Sequence, residues 1–232
     1  MATYVLVHGA WSGAQTWRKV RPILRGAGHE VFTPSLTGLG ERVHLASPQV
    51  DLSTHVQDVV NMLRFEDLSD VVLLGYSYGG MVVTGALEHV AGRVKHLVYL
   101  DAFVPENGDS LYSLTGQSPP EDFGEGWLVP PAPREFDDPA EAAWATARRV
   151  SHPRGCFTEP VRVSQALELY PFTRTYIKAT EPPRAQGGVS AFWSAADRAQ
   201  NSALWRYAEI DTNHMIANNK PQELTNLLLE LA

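Results

Sequence analysis

Short runs of apolar and β-branched residues recur along this chain, separated by stretches whose apolar positions fall every three or four residues. Tyr4–Val7, Glu30–Thr33, Val71–Leu74, Val94–Leu100, Thr173–Ala179 and Trp205–Ile210 read as strands. Several are continuously apolar, the mark of strands covered on both faces. Between them, Trp17 to Gly26, Asp51 to Leu63, the run opening at Gly80, Ala191–Gln200 and Pro221–Leu231 read as helices. In the second of these the apolar residues at 52, 56, 59, 60 and 63 share one face. Strand–helix alternation of this kind predicts the α/β class: a mostly parallel sheet flanked by helices on both faces.

The alternation breaks after Phe103. Residues that follow are proline-rich, with Pro119-Pro120 and Pro130-Pro131-Ala132-Pro133, and show little periodicity. A helix is expected from Asp138 as N-cap, with Pro139 in the first turn and Glu141 at the third position, to about Val150. A second short helix is expected over Pro160 to Glu168. Residues 1–103 and 173–232 therefore form the core domain, and 104–172 an insertion between two core strands. Structureless loops of that length are rare in compact domains, so a helical lid over one face of the sheet is the expectation.

Gly75-Tyr76-Ser77-Tyr78-Gly79 stands between the apolar strand Val71–Leu74 and the helical run from Gly80. A serine pinned between two glycines at a strand-to-helix turn is the G-x-S-x-G nucleophile elbow, in which the hydroxyl is exposed on a strained backbone. Such a hydroxyl is a weak nucleophile until a base takes its proton and a third group orients that base. His214, after the Trp205–Ile210 strand, fits the chain order of serine, acid and histidine. His55, His89 and His96 lie within helices or strands, His29 and His44 near turns out of that order, and His152 within the insertion.

The acid has two candidates. Asp101 follows the apolar strand Val94–Leu100, where an unpaired carboxylate is costly and calls for a partner. Glu181, in Ala179-Thr180-Glu181-Pro182-Pro183, follows the next-to-last strand and also reads as a solvated turn residue. Asp101 is favoured. The glycine turn in His8-Gly9-Ala10-Trp11 can aim backbone N–H groups at a developing oxyanion, with the N–H of Tyr78 as the second donor. Trp11, Tyr76, Phe103, Trp127 and Trp144 are candidate walls of an apolar substrate pocket. Arg134, Arg148, Arg149 and Arg154 read as solvating the insertion, with a carboxylate-bearing substrate as the other reading.

Composition narrows the picture further. At 232 residues the chain suits one well-buried domain. Its net charge of −7, with no Lys/Arg cluster, argues against nucleic acid or an anionic membrane surface as partner. The single cysteine, Cys156, excludes an internal disulfide and fits a reducing, cytoplasmic setting. No apolar run approaches the roughly 20 residues that span a bilayer, and Met1–Val7 carries no signal-peptide pattern. The chemistry above needs no metal or cofactor, and the sequence sets no oligomeric state.

With these residues in place, the chain resembles the α/β-hydrolase superfamily over essentially its whole length. Leu6-Val7-His8-Gly9-Ala10-Trp11-Ser12-Gly13-Ala14-Gln15-Thr16-Trp17 is similar to the opening of the methylesterase/hydroxynitrile-lyase group. Pro34-Ser35-Leu36-Thr37-Gly38-Leu39-Gly40-Glu41-Arg42 and Tyr99-Leu100-Asp101-Ala102-Phe103-Val104-Pro105 resemble a bacterial branch of small carboxylesterases that includes pyrethroid hydrolases. The resemblance implies Ser77 at the elbow, oxyanion donors from Ala10 and Tyr78, His214 as base, a helical lid, and a small ester as substrate. The lyases of the group carry a threonine after the first-strand histidine and a lysine after the catalytic histidine. This chain has Gly9 and Met215 there, the esterase pattern. The group usually places its acid after the next-to-last strand, whereas some haloalkane dehalogenases place it one strand earlier, in the context of Leu100-Asp101-Ala102. A serine nucleophile does not suit dehalogenase chemistry, which needs a carboxylate. Lactonase, amidase and C–C hydrolase activities, or a receptor-like pocket with little turnover, share the same residues.

Overall fold

The computed structural model describes residues 1–118, 124–181 and 191–232; Pro119-Pro120 and the prolines after Glu181 lie outside them. Eight strands are described: β1 (Thr3–Val7), β2 (Glu30–Phe32), β3 (Val71–Tyr76), β4 (Val94–Leu100), β5 (Leu128–Val129), β6 (His152–Pro153), β7 (Thr173–Ala179) and β8 (Arg206–Ile210). The α-helices described are α1 (Val20–Gly26), α2 (Leu52–Phe65), α3 (Gly79–Val90), α4 (Leu111–Leu114), α5 (Pro139–Thr146), α6 (Gly155–Thr158), α7 (Ala191–Gln200), α8 (Ile216–Asn219) and α9 (Pro221–Leu229). Six strands form one sheet in the order β2-β1-β3-β4-β7-β8, every pair parallel. The expected α/β class and flanked parallel sheet are found.

Alternation along each strand builds two cores, because successive side chains leave a strand on opposite faces. Val5, Val7, Leu73, Leu97 and Tyr99 join α2 and α3 through Val56, Val59, Val60, Met81 and Val83. Tyr4, Leu6, Val72, Leu74, Val98 and Leu100 face the other way, onto Trp17, Val20, Leu24, Leu224 and Leu228 from α1, α9 and the 3-10 turn before α1. Helix α2 starts on a capping box between Asp51 and Thr54. No helix among the described residues is long and apolar enough to cross a membrane.

Between β4 and β7 the chain is less regular. Asp138 caps α5 as expected, with Pro139 in the first turn, but the helix ends at Thr146 rather than near Val150. The helix expected over Pro160 to Glu168 is absent. Its backbone bonds elsewhere: Gly108 N–H donates to the Val161 carbonyl at 2.9 Å, Val161 N–H to Asp109 at 2.7 Å, and Val163 N–H to the Asn107 side chain at 3.1 Å. Only a 3-10 turn, Leu167–Leu169, forms there. The one-turn α6 sits earlier, where Gly155 packs against the Val50 carbonyl.

Candidate active site

Ser77 follows directly on β3 with φ of 56°, a left-handed conformation that a residue with a Cβ adopts only under constraint. Its N–H donates to the Leu100 carbonyl at 3.2 Å, and its own carbonyl accepts from Gly80 at 3.0 Å and Phe103 at 3.3 Å. The glycines beside it have a steric reason. A Cβ on Gly75 would come within 2.6 Å of the Gly79 carbonyl oxygen, and one on Gly79 within 2.7 Å of the Val7 carbonyl oxygen.

Asp101 takes the same kind of turn one strand over, with φ of 41°, and its N–H donates to Ile177 at 2.7 Å. The side chain is buried, and Oδ2 lies 2.6 Å from Nδ1 of His214. A carboxylate only accepts, so Nδ1 carries the proton and Nε2 is left as an acceptor, 3.0 Å from Ser77 Oγ. Burial lowers the His214 pKa below the ordinary imidazole value. Nearby Arg134 and Arg149 push the same way, and Asp101 opposes both. The ring is thus a neutral base at pH 7, able to take the serine proton.

The imidazole is fixed on both faces. Phe192 stacks on it at 5.1 Å and 10°, and Tyr76 lies 5.0 Å away at 31°. The Tyr76 hydroxyl also donates to the His214 carbonyl at 2.6 Å. Glu181, the alternative acid, is exposed; its backbone N–H donates to Thr212 at 3.1 Å, and its carboxylate does not reach His214.

Ala10 and Trp11 follow β1 beside Ser77. Trp11 has φ of 62°, held from both sides by residues far along the chain. Its N–H donates to His152 Nδ1 at 3.2 Å, and its carbonyl accepts from Val150 at 3.1 Å. Among the described residues, the N–H groups of Ala10 and Tyr78 have no protein acceptor, so both are available to an oxygen placed near Ser77.

Beneath this turn lies a buried polar layer. His8 accepts from Leu36 N–H at 3.1 Å, and His55 joins the Tyr78 hydroxyl at 2.9 Å to the Thr37 carbonyl at 2.8 Å. Burial drops the pKa of His8 and of His55 to about 4, and that of His152 well below its usual value. His55, His152 and Cys156 bring potential metal-ligand atoms within 4.8 Å of one another. Both His55 nitrogens and Nδ1 of His152 are already in hydrogen bonds, and the Cys156 thiol reaches the Val50 carbonyl at 3.7 Å, which leaves only His152 Nε2 of the three residues without a partner. This layer acts as packing that holds Tyr78 and Trp11 rather than as a ligand set.

Above Ser77 lies a narrow cleft that opens to solvent. Of the five aromatic residues expected to wall it, Trp11, Tyr76 and Trp144 do so. Phe103 and Trp127 do not. Phe103 packs on Phe192 with ring centroids 4.5 Å apart at a tilt of 59°, and the Trp127 carbonyl accepts a backbone bond from Arg154 at 2.7 Å. Sequence reasoning missed Phe192 as a wall of His214, and no residue pattern in α7 marks it. Of the four arginines read either as solvating the insertion or as facing a carboxylate-bearing substrate, Arg134 and Arg149 line the cleft.

Comparison with known proteins adds the following. The model of the alpha/beta hydrolase family matches residues 4–226. A carbendazim hydrolyzing esterase of Nocardioides sp. (strain SG-4G) is 52% identical over 122 residues, which is 52% of this chain and 50% of that protein. The chain spans about half the length of several curated relatives it matches. Among solved structures, an extracellular alpha/beta-hydrolase from a Paenibacillus species aligns with TM-score 0.79 at 23% identity, covering 100% of this chain and 99% of that one. A pyrethroid hydrolase from Sphingobium faniae JZ-2 aligns with TM-score 0.72 at 20% identity, covering 99% and 96%. At these identities the two structures speak for the fold.

Proposed function

The chain belongs to the alpha/beta hydrolase family, and from that premise we propose that it is a carboxylesterase-type serine hydrolase acting on small hydrophobic esters. The observation that carries the reading is the unbroken contact path from Asp101 Oδ2 to His214 Nδ1 at 2.6 Å and from His214 Nε2 to Ser77 Oγ at 3.0 Å. In this mechanism His214 takes the Ser77 proton as Oγ attacks the ester carbonyl. The N–H groups of Ala10 and Tyr78 receive the oxyanion, each such donor being worth about 3 kcal/mol in comparable sites. Imidazolium, steadied by Asp101, then protonates the alcohol leaving group. Water repeats the sequence on the acyl-enzyme and regenerates Ser77.

Residues 104–172 act as the lid over the core formed by 1–103 and 173–232. Trp11, Tyr76 and Trp144 offer the apolar wall against which the substrate body packs. Gly9 and Met215 stand where related lyases carry threonine and lysine, so no side-chain cation follows His214 to favour the lyase reaction. The relative that shares half the chain at 52% identity is named for carbendazim, which makes that compound a sensible member of a test panel.

The reading is tested with a panel of chromogenic esters, lactones and amides plus carbendazim, and with a fluorophosphonate probe. Ester turnover should dominate and fall by about three orders of magnitude or more in Ser77→Ala, and the probe should label Ser77 alone. Near-full activity in that variant would sink the assignment.

A further inference from the structure

Around Ser77 the charge of the molecule reverses. The chain as a whole carries −7, yet the residues lining the cleft include Arg134 and Arg149 and no aspartate or glutamate. We propose that Arg134 and Arg149 form an anion-binding subsite, and that the preferred esters carry a carboxylate at the end away from the scissile bond. The proposal rests on the serine-hydrolase reading above and adds to it a substrate class.

A contrast within the same region carries the argument. Arg18 stands 4.0 Å over the ring of Trp144, a residue of the cleft wall, but Glu141 pairs with it and with Lys19. Glu141 is buried and further bonded by Asn218 at 2.8 Å. The fold thus neutralises a cation there with a dedicated carboxylate. Arg134 and Arg149 receive none: among the described residues, no carboxylate lies within ion-pair reach of either. Their guanidinium carbons stand 5.9 and 5.8 Å from the centre of the same Trp11 ring, so two like charges share one aromatic support.

Such an arrangement is costly unless something completes it. Half-buried charges are ordinarily paired. Burial, with the Arg134 charge added, lowers the Arg149 pKa to about 10. Each guanidinium commits one nitrogen to a backbone carbonyl, Arg134 to Pro133 and Arg149 to Ala132. The remaining N–H groups form the planar forks that suit a carboxylate. Trp11, Tyr76 and Trp144 line the same cleft as those two arginines and Ser77. An ester with a flat apolar body and an anionic end satisfies both parts of the cleft.

The test compares carboxylate esters with their neutral carboxamide isosteres. Monomethyl terephthalate against methyl 4-carbamoylbenzoate places the anion on the acyl side; 4-acetoxybenzoate against 4-acetoxybenzamide places it on the alcohol side. In at least one pair, kcat/KM should favour the anion by about tenfold or more, the range of a charge-assisted contact. The ratio should fall to within about twofold of unity in the double variant R134Q/R149Q, and in the unmodified enzyme it should shrink as salt rises to about 0.5 M. Arg134→Gln alone and the salt series read the same ratio without disturbing the packing of Arg149. A ratio at or below unity in both pairs, or one that neither substitution nor salt moves, overturns the proposal. Binding of benzoate against benzamide to Ser77→Ala needs no turnover and separates the two readings. Tighter benzoate binding, lost with the arginines, supports the subsite whatever the serine does. Equal binding of the two overturns it.

Discussion

The Tyr76 hydroxyl donates to the backbone carbonyl of His214 at 2.6 Å, tying the residue before the serine to the residue that faces it. Tyr76 is buried, and burial raises its pKa, so it stays a neutral donor across the working range. Tyr76→Phe keeps the ring beside the imidazole and removes this bond together with the hydroxyl's weaker contact to Met215 Sδ at 3.8 Å. The loss should cost about 1 kcal/mol, or roughly 2–4 °C in Tm for a chain of this size. Turnover should fall about three- to tenfold in kcat as His214 loosens. Thermal melts and steady-state kinetics on one chromogenic ester check both.

Asp101 and Glu181 are distinguished by paired variants. Asp101→Asn replaces an acceptor-only carboxylate with a neutral amide whose NH2 can donate to Nδ1 and hold His214 in the wrong tautomer, and kcat should drop about 10³–10⁴-fold. Glu181→Gln, at an exposed position, should stay within about twofold of the parent enzyme. The opposite ranking in ester hydrolysis would move the acid to Glu181.

The pH profile follows from the charge around His214. Its pKa lies below the ordinary imidazole value, so the acid limb of kcat/KM should fall below pH 6.5. Arg134 and Arg149 disfavour the imidazolium. Removing one cation favours it, so Arg149→Gln should move the acid limb to higher pH. An unchanged or lower limb would mean the arginine charge does not reach the base.

Acid stability should show the buried histidines. His8 and His55 have folded pKa values of about 4 against an unfolded value of about 6.5, and burial holds His152 well below that unfolded value too. Between those values the unfolded chain binds protons that the folded chain refuses. Stability from these groups is present above pH 6.5 and is lost as pH falls toward 4, at roughly 1.4 kcal/mol per unit for each histidine. Urea midpoints at pH 7, 6 and 5 should decline with increasing slope. A flat series would show that the cluster charges without unfolding.

Much of this architecture is legible in the sequence, and the reason is periodicity. Val94–Leu100, Thr173–Ala179 and Ala191–Gln200 have the expected boundaries because apolar runs or apolar stripes specify them without competition. Residues 160–168 carry a helical pattern that is outbid by backbone partners at 107–109, which no local signal announces. At the site, strand ends place Ser77, Asp101 and His214, and a strand end is visible in sequence. Two acids each leave such an end, however, and only the burial of Asp101 against the exposure of Glu181 separates them. The aromatic wall was half readable. Trp11, Tyr76 and Trp144 line the cleft, while Phe103 and Trp127 turn away, because side-chain direction in an aperiodic segment carries no repeat. Arg134 and Arg149 meet over Trp11 only through the folding of the 104–172 insertion.

Trp11 is gripped by Val150 on its carbonyl side and by His152 on its N–H side. That grip limits how the chain can be recombined. Specificity segments of related enzymes are often pictured as interchangeable cassettes set on a constant chassis. Here a graft that replaced all of 104–172 would also discard the two residues that shape the turn after β1. Viable chimaeras should therefore splice outside 150–157, keeping that stretch with the parent core, and a line of descent that varies its substrates should drift most freely upstream of it.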